Sequence, residues 1–407
     1  MKIQDLRRAV AGALALEELQ TVFGGRKTTI VLPADRYSSS SDRCVTLTPL
    51  LDLEAVLDPA LAALRAVGAR CTVVAPRRQY APSRASLDAI QTIVSKHESR
   101  VVYHDPDDSQ GPLTTVHSDV RTPEARRAGV ASMPARFHPA VTDAEALLAI
   151  GLVEPDPYAG FSGGAEVIGL DCAAGQTIQA LRGFAFLRSP DVRLGHVTGN
   201  PFQGALWRLI RDLPPQRGLM IVPPVGRESW SAFAGPLSYS FNRAVNLGSD
   251  RLFSVVDAPR PWVHLSMLEG VGFYEASRAF VALALAPNTA LAPGGPVVLQ
   301  MASNQNLDAS SFAFVETIRR GPEALRAVFT SGAEDVSEGA HQAFLLSRAL
   351  ERARLVVLGA LPIPELAEFG VQSFADLAAA RSALGLKGRM PKLDNVLHSV
   401  PVLAKPS

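Results

Sequence analysis

Glu154-Pro-Asp-Pro-Tyr-Ala-Gly-Phe-Ser-Gly-Gly-Ala-Glu-Val-Ile168, followed by Asp171-Cys-Ala-Ala-Gly175, is a glycine-rich segment set between an apolar run and a helical one. Upstream, Ala146–Val153 is an almost unbroken apolar run, which predicts a strand buried on both faces. Downstream, Gln176–Leu181 reads as a helix. A strand, a glycine-rich turn and a helix form a unit that can aim backbone N–H groups at a ligand. The turn is neither GxGxxG nor GxxxxGK[ST], so as an anion-binding signal it is weak. The plainer reading is that Gly160, Gly163, Gly164, Gly169 and Gly175 supply positive φ and close packing at a strand-to-helix crossing.

Outward from this turn the pattern is α/β. Thr28–Leu32, Cys71–Ala75 and Val101–His104 read as strands, and Leu51–Val67 and Ser83–His97 as helices between them. That alternation predicts a parallel sheet covered by helices. Residues 105–137 are rich in Asp, Ser, Thr, Arg and Pro and predict loops with an edge hairpin. Pro201–Ile210 reads as a helix and Met220–Val225 as a strand. A second α/β unit is expected from Ser249. Its strands are Leu252–Val256, Trp262–Ser266, Pro296–Met301 and Arg354–Gly359. Its helices are Phe273–Leu285, 310–319, 321–329, 339–352 and Ser373–Leu384. The division expected is an N-terminal domain over 1–248, a C-terminal domain over 249–385, and a tail, 386–407, returning to the first domain.

Composition narrows the class. The 407 residues carry 40 basic and 39 acidic side chains, a net charge of +1 that offers no general attraction to nucleic acid or anionic lipid. Three cysteines, Cys44, Cys71 and Cys172, form no CxxC or disulfide framework, which fits a reducing cytoplasm. Met1–Val22 reads as an amphipathic helix, not a signal peptide, and the longest apolar run, Phe280–Pro287, is far short of a membrane span. The expectation is a cytoplasmic protein with a small-molecule ligand and no nucleic-acid or membrane partner. Oligomeric state leaves no mark on the sequence.

The signature resembles that of the nickel-pincer lactate racemase family, which reads roughly E-P-H-x-x-A-G-F-S-G-G-x-K. The likeness continues in order along residues 28 to 300. Tyr103-His-Asp-Pro106 resembles the family's strand-end N-H-D, and Gly199-Asn-Pro201 its G-N-P before a helix. Gly272-Phe-Tyr-Glu-Ala-Ser-Arg278 resembles its Y-Q-x-x-K, and Pro293-Gly-Gly-Pro-Val-Val-Leu299 the P-G-G strand after it. The resemblance implies two α/β domains with a cleft between them, and racemisation or epimerisation of a 2-hydroxy acid as the ancestral activity. It also implies a pyridinium-derived nickel pincer nucleotide, tethered to a lysine and ligated by a histidine.

The reactive positions of that pattern are replaced here. Glu166 stands for the tethering lysine, and a carboxylate is not a nucleophilic amine. Asp156 stands for a catalytic histidine, with an ordinary pKa near ~4, a poor match to proton transfer at neutral pH. Arg182 falls where the nickel-ligating histidine is expected, and a guanidinium cannot ligate. Asp35-Arg-Tyr-Ser38 and Arg77-Arg-Gln-Tyr80 stand for D-x-T-R and G-T-H-R, so Gln79 replaces the other histidine. Arg36 or Arg43 would then take over from the family's substrate arginine. Tyr274 is kept, Gln becomes Glu275 and Lys becomes Arg278, which could still grip a carboxylate bidentately.

The candidate set that results is His104, Asp156 and Glu166 for chemistry, with Tyr274, Glu275, Arg278 and Arg36 for a substrate. Gly163, Gly164, Glu166 and Arg182 line the family's cofactor position. His104 ends a strand beside Asp105, where a cleft would lie; the plainer reading is a ring anchoring a loop. No HxxxH or HExxH occurs, so no metal site is signalled. Glu154, Asp156, Glu166 and Asp171 could gather a hard cation, but pairing with arginines across the cleft is the favoured expectation. Gly160-Phe-Ser-Gly-Gly164 also satisfies G-x-S-x-G, and a hydrolase would need Ser162 with a late histidine such as His341 or His398. The two functional readings are a divergent racemase-like protein with altered or lost pincer chemistry, and a non-catalytic binder or regulator that takes a small carboxylate.

Overall fold

A computed structural model of the chain describes residues 3–34, 37–38, 50–76, 84–106, 113–127, 129–130, 132–267, 271–301, 312–331, 340–388, 392–393 and 399–404. The first sheet has six strands: β1 Lys27–Val31, β2 Arg70–Pro76, β3 Arg100–His104, β4 Ala146–Leu152, β5 Gln216–Val222 and β6 Ser231–Pro236. Their order is β6-β5-β4-β1-β2-β3. All neighbours run parallel except the edge pair β5 and β6. The chain builds β1, β2 and β3 in one direction, then crosses to the other side of β1 for β4 and β5. The connections therefore diverge between β1 and β4, and a crevice opens at the carboxyl ends of such strands. The glycine-rich signature leaves β4 at that point.

The strand patterns follow from burial on two faces. Every residue of β4 is buried, as its apolar run predicts. One face of the sheet, with Val31, Val74, Leu147, Ala149, Met220 and Val222, belongs to a core that continues into the second half. The opposite face, with Ile30, Val73, Leu148, Ile150 and Ile221, packs on Leu6, Val10, Phe23, Leu57, Leu61 and Ile90 from the N-terminal helices. Helix Leu53–Ala66 starts where Asp52 accepts from the Ala55 N–H at 2.8 Å. It gives way at Gly68, whose φ is +76°.

Helix Leu237–Leu252 leads from β6 towards the second half and contains residues 248 and 249. There, β7 Phe253–Val256 is followed by β8 Val263–Ser266, β9 Pro296–Gln300, β10 Arg354–Leu358 and β11 Gln372–Phe374. The C-terminal residues supply β12 Lys392–Leu393 and β13 Val400–Leu403. A five-stranded parallel sheet has the order β11-β10-β9-β8-β12, and β13 pairs separately with β7. Helices Phe273–Leu285, Phe312–Arg319 and Ala340–Leu350 feed Phe273, Phe280, Phe314 and Leu345 into the core that also holds Phe137, Phe161, Phe202 and Phe241. One continuous core thus joins the two halves.

Some expectations are corrected. The N-terminal segment is two helices, Ile3–Ala13 and Leu16–Phe23, interrupted at Leu14-Ala15. The strand expected over Met220–Val225 starts four residues earlier and stops before Pro223, which has no N–H to donate to a ladder. Ser373 and Phe374 are strand, not helix, because they complete the edge of the second sheet beside β10. The helix after them begins at Leu377, capped by Asp376, whose Oδ1 accepts from the Ala379 N–H at 2.8 Å. The edge hairpin in 105–137 is present, as Thr114–His117 paired with Ala135–Phe137. Among the described residues, no helix is long and apolar enough to cross a membrane.

Candidate functional site

The signature turn is a small structure held by local hydrogen bonds. Pro155–Asp156 and Gly160–Phe161 pair as a two-stranded antiparallel hairpin. Asp156 closes it, its Oδ1 accepting from the Tyr158 N–H at 2.8 Å and the Ala159 N–H at 2.7 Å. This is the local bond an Asx turn makes. The Ser162 hydroxyl donates to the Leu152 carbonyl at 2.8 Å and accepts from the Glu154 N–H at 3.0 Å. It staples the end of β4 and is not presented as a nucleophile. Gly160 has φ +81°, and a Cβ there would meet the His196 carbonyl oxygen at 2.3 Å. At Gly164, with φ +59°, a Cβ would meet the Phe241 ring at 2.7 Å; at Gly163 the nearest atom is a Val153 methyl at 3.2 Å. These glycines admit protein atoms, so the packing reading of the turn holds.

Two buried acids around the turn accept from backbone N–H groups. Glu166 Oε2 accepts from the Gly163 N–H at 3.2 Å, and Asp171 Oδ2 from the Ala34 N–H at 2.9 Å. The latter bond ties the segment after the signature to the end of β1, across the divergence point of the sheet. Asn200 fixes the far side. Its Oδ1 caps helix Pro201–Ile210 through the Phe202 and Gln203 N–H groups, and its amide donates to the Tyr158 carbonyl at 2.6 Å and the His196 carbonyl at 2.8 Å. The G-N-P element is thus a clamp on the signature turn.

Two polar groups meet where the halves join. The first is Arg278 on helix Phe273–Leu285, which donates from Nη1 to both carboxylate oxygens of Glu275, at 3.0 and 3.1 Å. Burial works against the Arg278 charge, but Glu275, Tyr274 and Glu154 together outweigh it and raise its pKa above the ordinary arginine value. Glu154, at the end of β4, is 2% exposed, so it brings a carboxylate from the first half towards an arginine of the second. The second group is Arg182, 6% exposed at the end of helix Gly175–Arg182. Its Nη1 lies 3.4 Å from Nδ1 and 3.3 Å from Nε2 of His341. Its guanidinium carbon sits 5.9 Å from the centre of the Tyr158 ring. Tyr158 and His341 meet edge to face at 5.6 Å. Gln342 donates to Ser277 Oγ at 3.0 Å, so the helices carrying His341 and Arg278 are joined.

The sequence expectations resolve unevenly. Arg278 pairs with Glu275 on its own helix and feels the charge of Glu154 from the first half, whereas Asp156 bonds its own turn and Arg182 faces a histidine. His104 is 3% exposed and bonds through Nε2 to the Ala173 carbonyl at 3.0 Å, while its ring meets His138 edge to face. Burial lowers its pKa, so the neutral ring anchors the Asp171–Gly175 segment. Arg36, Arg43, Gln79 and His398 lie outside the described residues. Tyr158 and His341 were not singled out as a pair by the sequence. Tyr158 lay inside the signature, but His341 was a lone histidine with no spacing cue, 159 residues from Arg182.

A nickel pincer does not fit these groups. Glu166 offers a carboxylate bonded to backbone, Arg182 offers a guanidinium that cannot ligate, and Gly163 and Gly164 border side chains. Among the described residues, no three His, Cys, Asp or Glu side chains gather into a metal-holding group.

No family model matches the sequence, and no curated protein does. Solved structures do match. The lactate racemase apoprotein from Thermoanaerobacterium thermosaccharolyticum superposes with a TM-score of 0.76 at 16% identity, over 98% of this chain and 92% of that one. A protein from Thermotoga maritima, solved by a structural genomics consortium, superposes with a TM-score of 0.71 at 12% identity, over 99% of both chains. The chain therefore has a lactate-racemase-like α/β fold along nearly its whole length.

Proposed function

We propose that this protein is a lactate-racemase-like binder of a small carboxylate, of the 2-hydroxy acid class, that does not run nickel-pincer racemisation. The observation that carries the reading is the state of two positions. Where the resemblance calls for a covalent tether and a metal-ligating imidazole, Glu166 is bonded to the Gly163 N–H and Arg182 is packed on Tyr158 and His341. Neither group can do the family's chemistry, and both are integrated into the surrounding structure. Tyr274 and Arg278 support retained carboxylate recognition, since an arginine presents a planar fork to a carboxylate.

The test is to produce the protein together with the enzymes that make the pincer cofactor. Intact-mass and nickel analysis should give the bare polypeptide, D- and L-lactate should not interconvert, and lactate should raise the thermal midpoint. A nickel-containing adduct or turnover of either enantiomer would restore the racemase reading. Absence of any stabilisation by lactate and related hydroxy acids would remove the binding half.

A further inference from the structure

We propose that Arg182, Tyr158 and His341 form an acid-sensitive latch between the two halves, closed while the His341 imidazole is neutral. The inference does not depend on the identity of any ligand. It rests on a contact between helix Gly175–Arg182 and the hairpin turn on one side and helix Ala340–Leu350 on the other.

The geometry defines the contact. The Arg182 Nη1 is almost equidistant from the two ring nitrogens of His341, at 3.4 and 3.3 Å. The guanidinium has only N–H donors, so the contact needs an acceptor on the ring. A neutral imidazole keeps one nitrogen lone pair and can accept; an imidazolium has none. An imidazolium there sets two like charges together in a place where both residues are 6% exposed, and screening by water is weak. Tyr158 closes the third side, 5.6 Å from His341 and 5.9 Å from Arg182.

The same seam carries two further contacts. Phe184 and Phe344 meet edge to face at 4.8 Å, and Arg348 donates to the Leu187 carbonyl. These hold the halves together without titrating near neutrality, so they set a floor under the latch. Among the described residues, Arg182 and Tyr158 face His341 from the first half. The helices packed on its own carry Glu275 paired with Arg278, Glu316 paired with Arg319, and the residues Glu323 and Arg326; Arg348, Glu351 and Arg352 lie further along its own helix and just past its end.

The experiment is small-angle scattering with backbone hydrogen exchange on the full chain, from about pH 7.5 down to about pH 5, across the ordinary histidine range. The wild type should expand, and corrected exchange in residues 175–187 and 340–350 should rise about tenfold relative to β4. His341→Gln and Arg182→Gln should each lose that acid response, whatever their compactness at neutral pH. Tyr158→Phe, which keeps the ring, should retain it. A wild type whose dimensions and exchange do not change over this range overturns the proposal. So does a His341→Gln protein that expands as the wild type does.

Discussion

At the scale of single residues, the signature turn is set by atoms that leave no room. Gly160 combines a left-handed φ with a carbonyl oxygen 2.3 Å from where a Cβ would stand. Both costs fall on the same substitution. Gly160→Ala should lower unfolding free energy by about 2–4 kcal/mol, measured by urea denaturation. An effect below ~0.5 kcal/mol would mean the turn relaxes freely. Gly163 has a similarly left-handed φ of +88°, but its nearest neighbour is a methyl group at 3.2 Å, so it shares the strain and lacks the clash. Asp156 belongs to the same argument. Its carboxylate is a local turn-closer, so Asp156→Asn, which keeps an acceptor oxygen, should leave lactate stabilisation unchanged and shift stability by less than about 1 kcal/mol. Loss of ligand stabilisation in that variant would return Asp156 to the binding machinery.

At the scale of elements, the Asn200 clamp joins two segments that the sequence separates by 42 residues. Asn200→Ala removes a helix cap and two further bonds from buried or part-buried groups. The expected loss is about 2–3 kcal/mol, more than a cap alone, because the Tyr158 and His196 carbonyls lose their donor as well. A loss of ~1 kcal/mol or less would show that water replaces the amide. Elements also show what a sequence carries and what it does not. Leu53–Ala66 was legible because its cap, its apolar spacing and Gly68 all agree. Ser373-Phe374 was not, because its strand state comes from a free edge beside β10, a tertiary fact. Helix Leu237–Leu252 is not legible in the sequence because Ser238, Ser240, Asn242, Asn246 and Gly248 lower its local propensity; its apolar side, with Phe241 and Ala244, makes up the difference by burial. The site divides the same way. Glu166 and Arg182 were flagged by position in a signature, whereas the meeting of Arg182 with His341 needs the two halves to be docked.

At the scale of the whole molecule, acid should act on the first half through Asp58. That residue, 6% exposed, accepts from Arg7, from Lys96 at 2.8 Å and from His97 at 2.8 Å. Burial alone would raise its pKa, but the bonds from Lys96, His97 and Arg7 outweigh burial and hold it at about 2. An unfolded Asp titrates near ~3.9. A lowered folded value means the stabilisation is complete above the unfolded pKa and is lost as pH falls from about 5 towards 2. Asp58→Asn should therefore cost about 2 kcal/mol at neutral pH, with the gap to wild type narrowing steadily below pH ~4. A gap independent of pH would exclude the charge as its cause. This window lies below that of the His341 latch, so the two acid responses separate on a pH axis.

The pairing of β7 with β13 has a consequence in time. Among the described residues, Phe253–Val256 finds its partner only in Val400–Leu403, and β8 finds one of its two neighbours only in Lys392–Leu393. During synthesis the first sheet can close while the ribosome still holds the rest. The second half must instead wait for roughly 150 more residues, on the order of ten seconds or more at cellular elongation rates. Through that interval one side of β8 and the whole of β7 are exposed edges, the kind of surface that chaperones bind and that pairs with the wrong strand. A nascent chain stalled before residue 392 should thus present a finished first sheet and a sticky, unfinished second one.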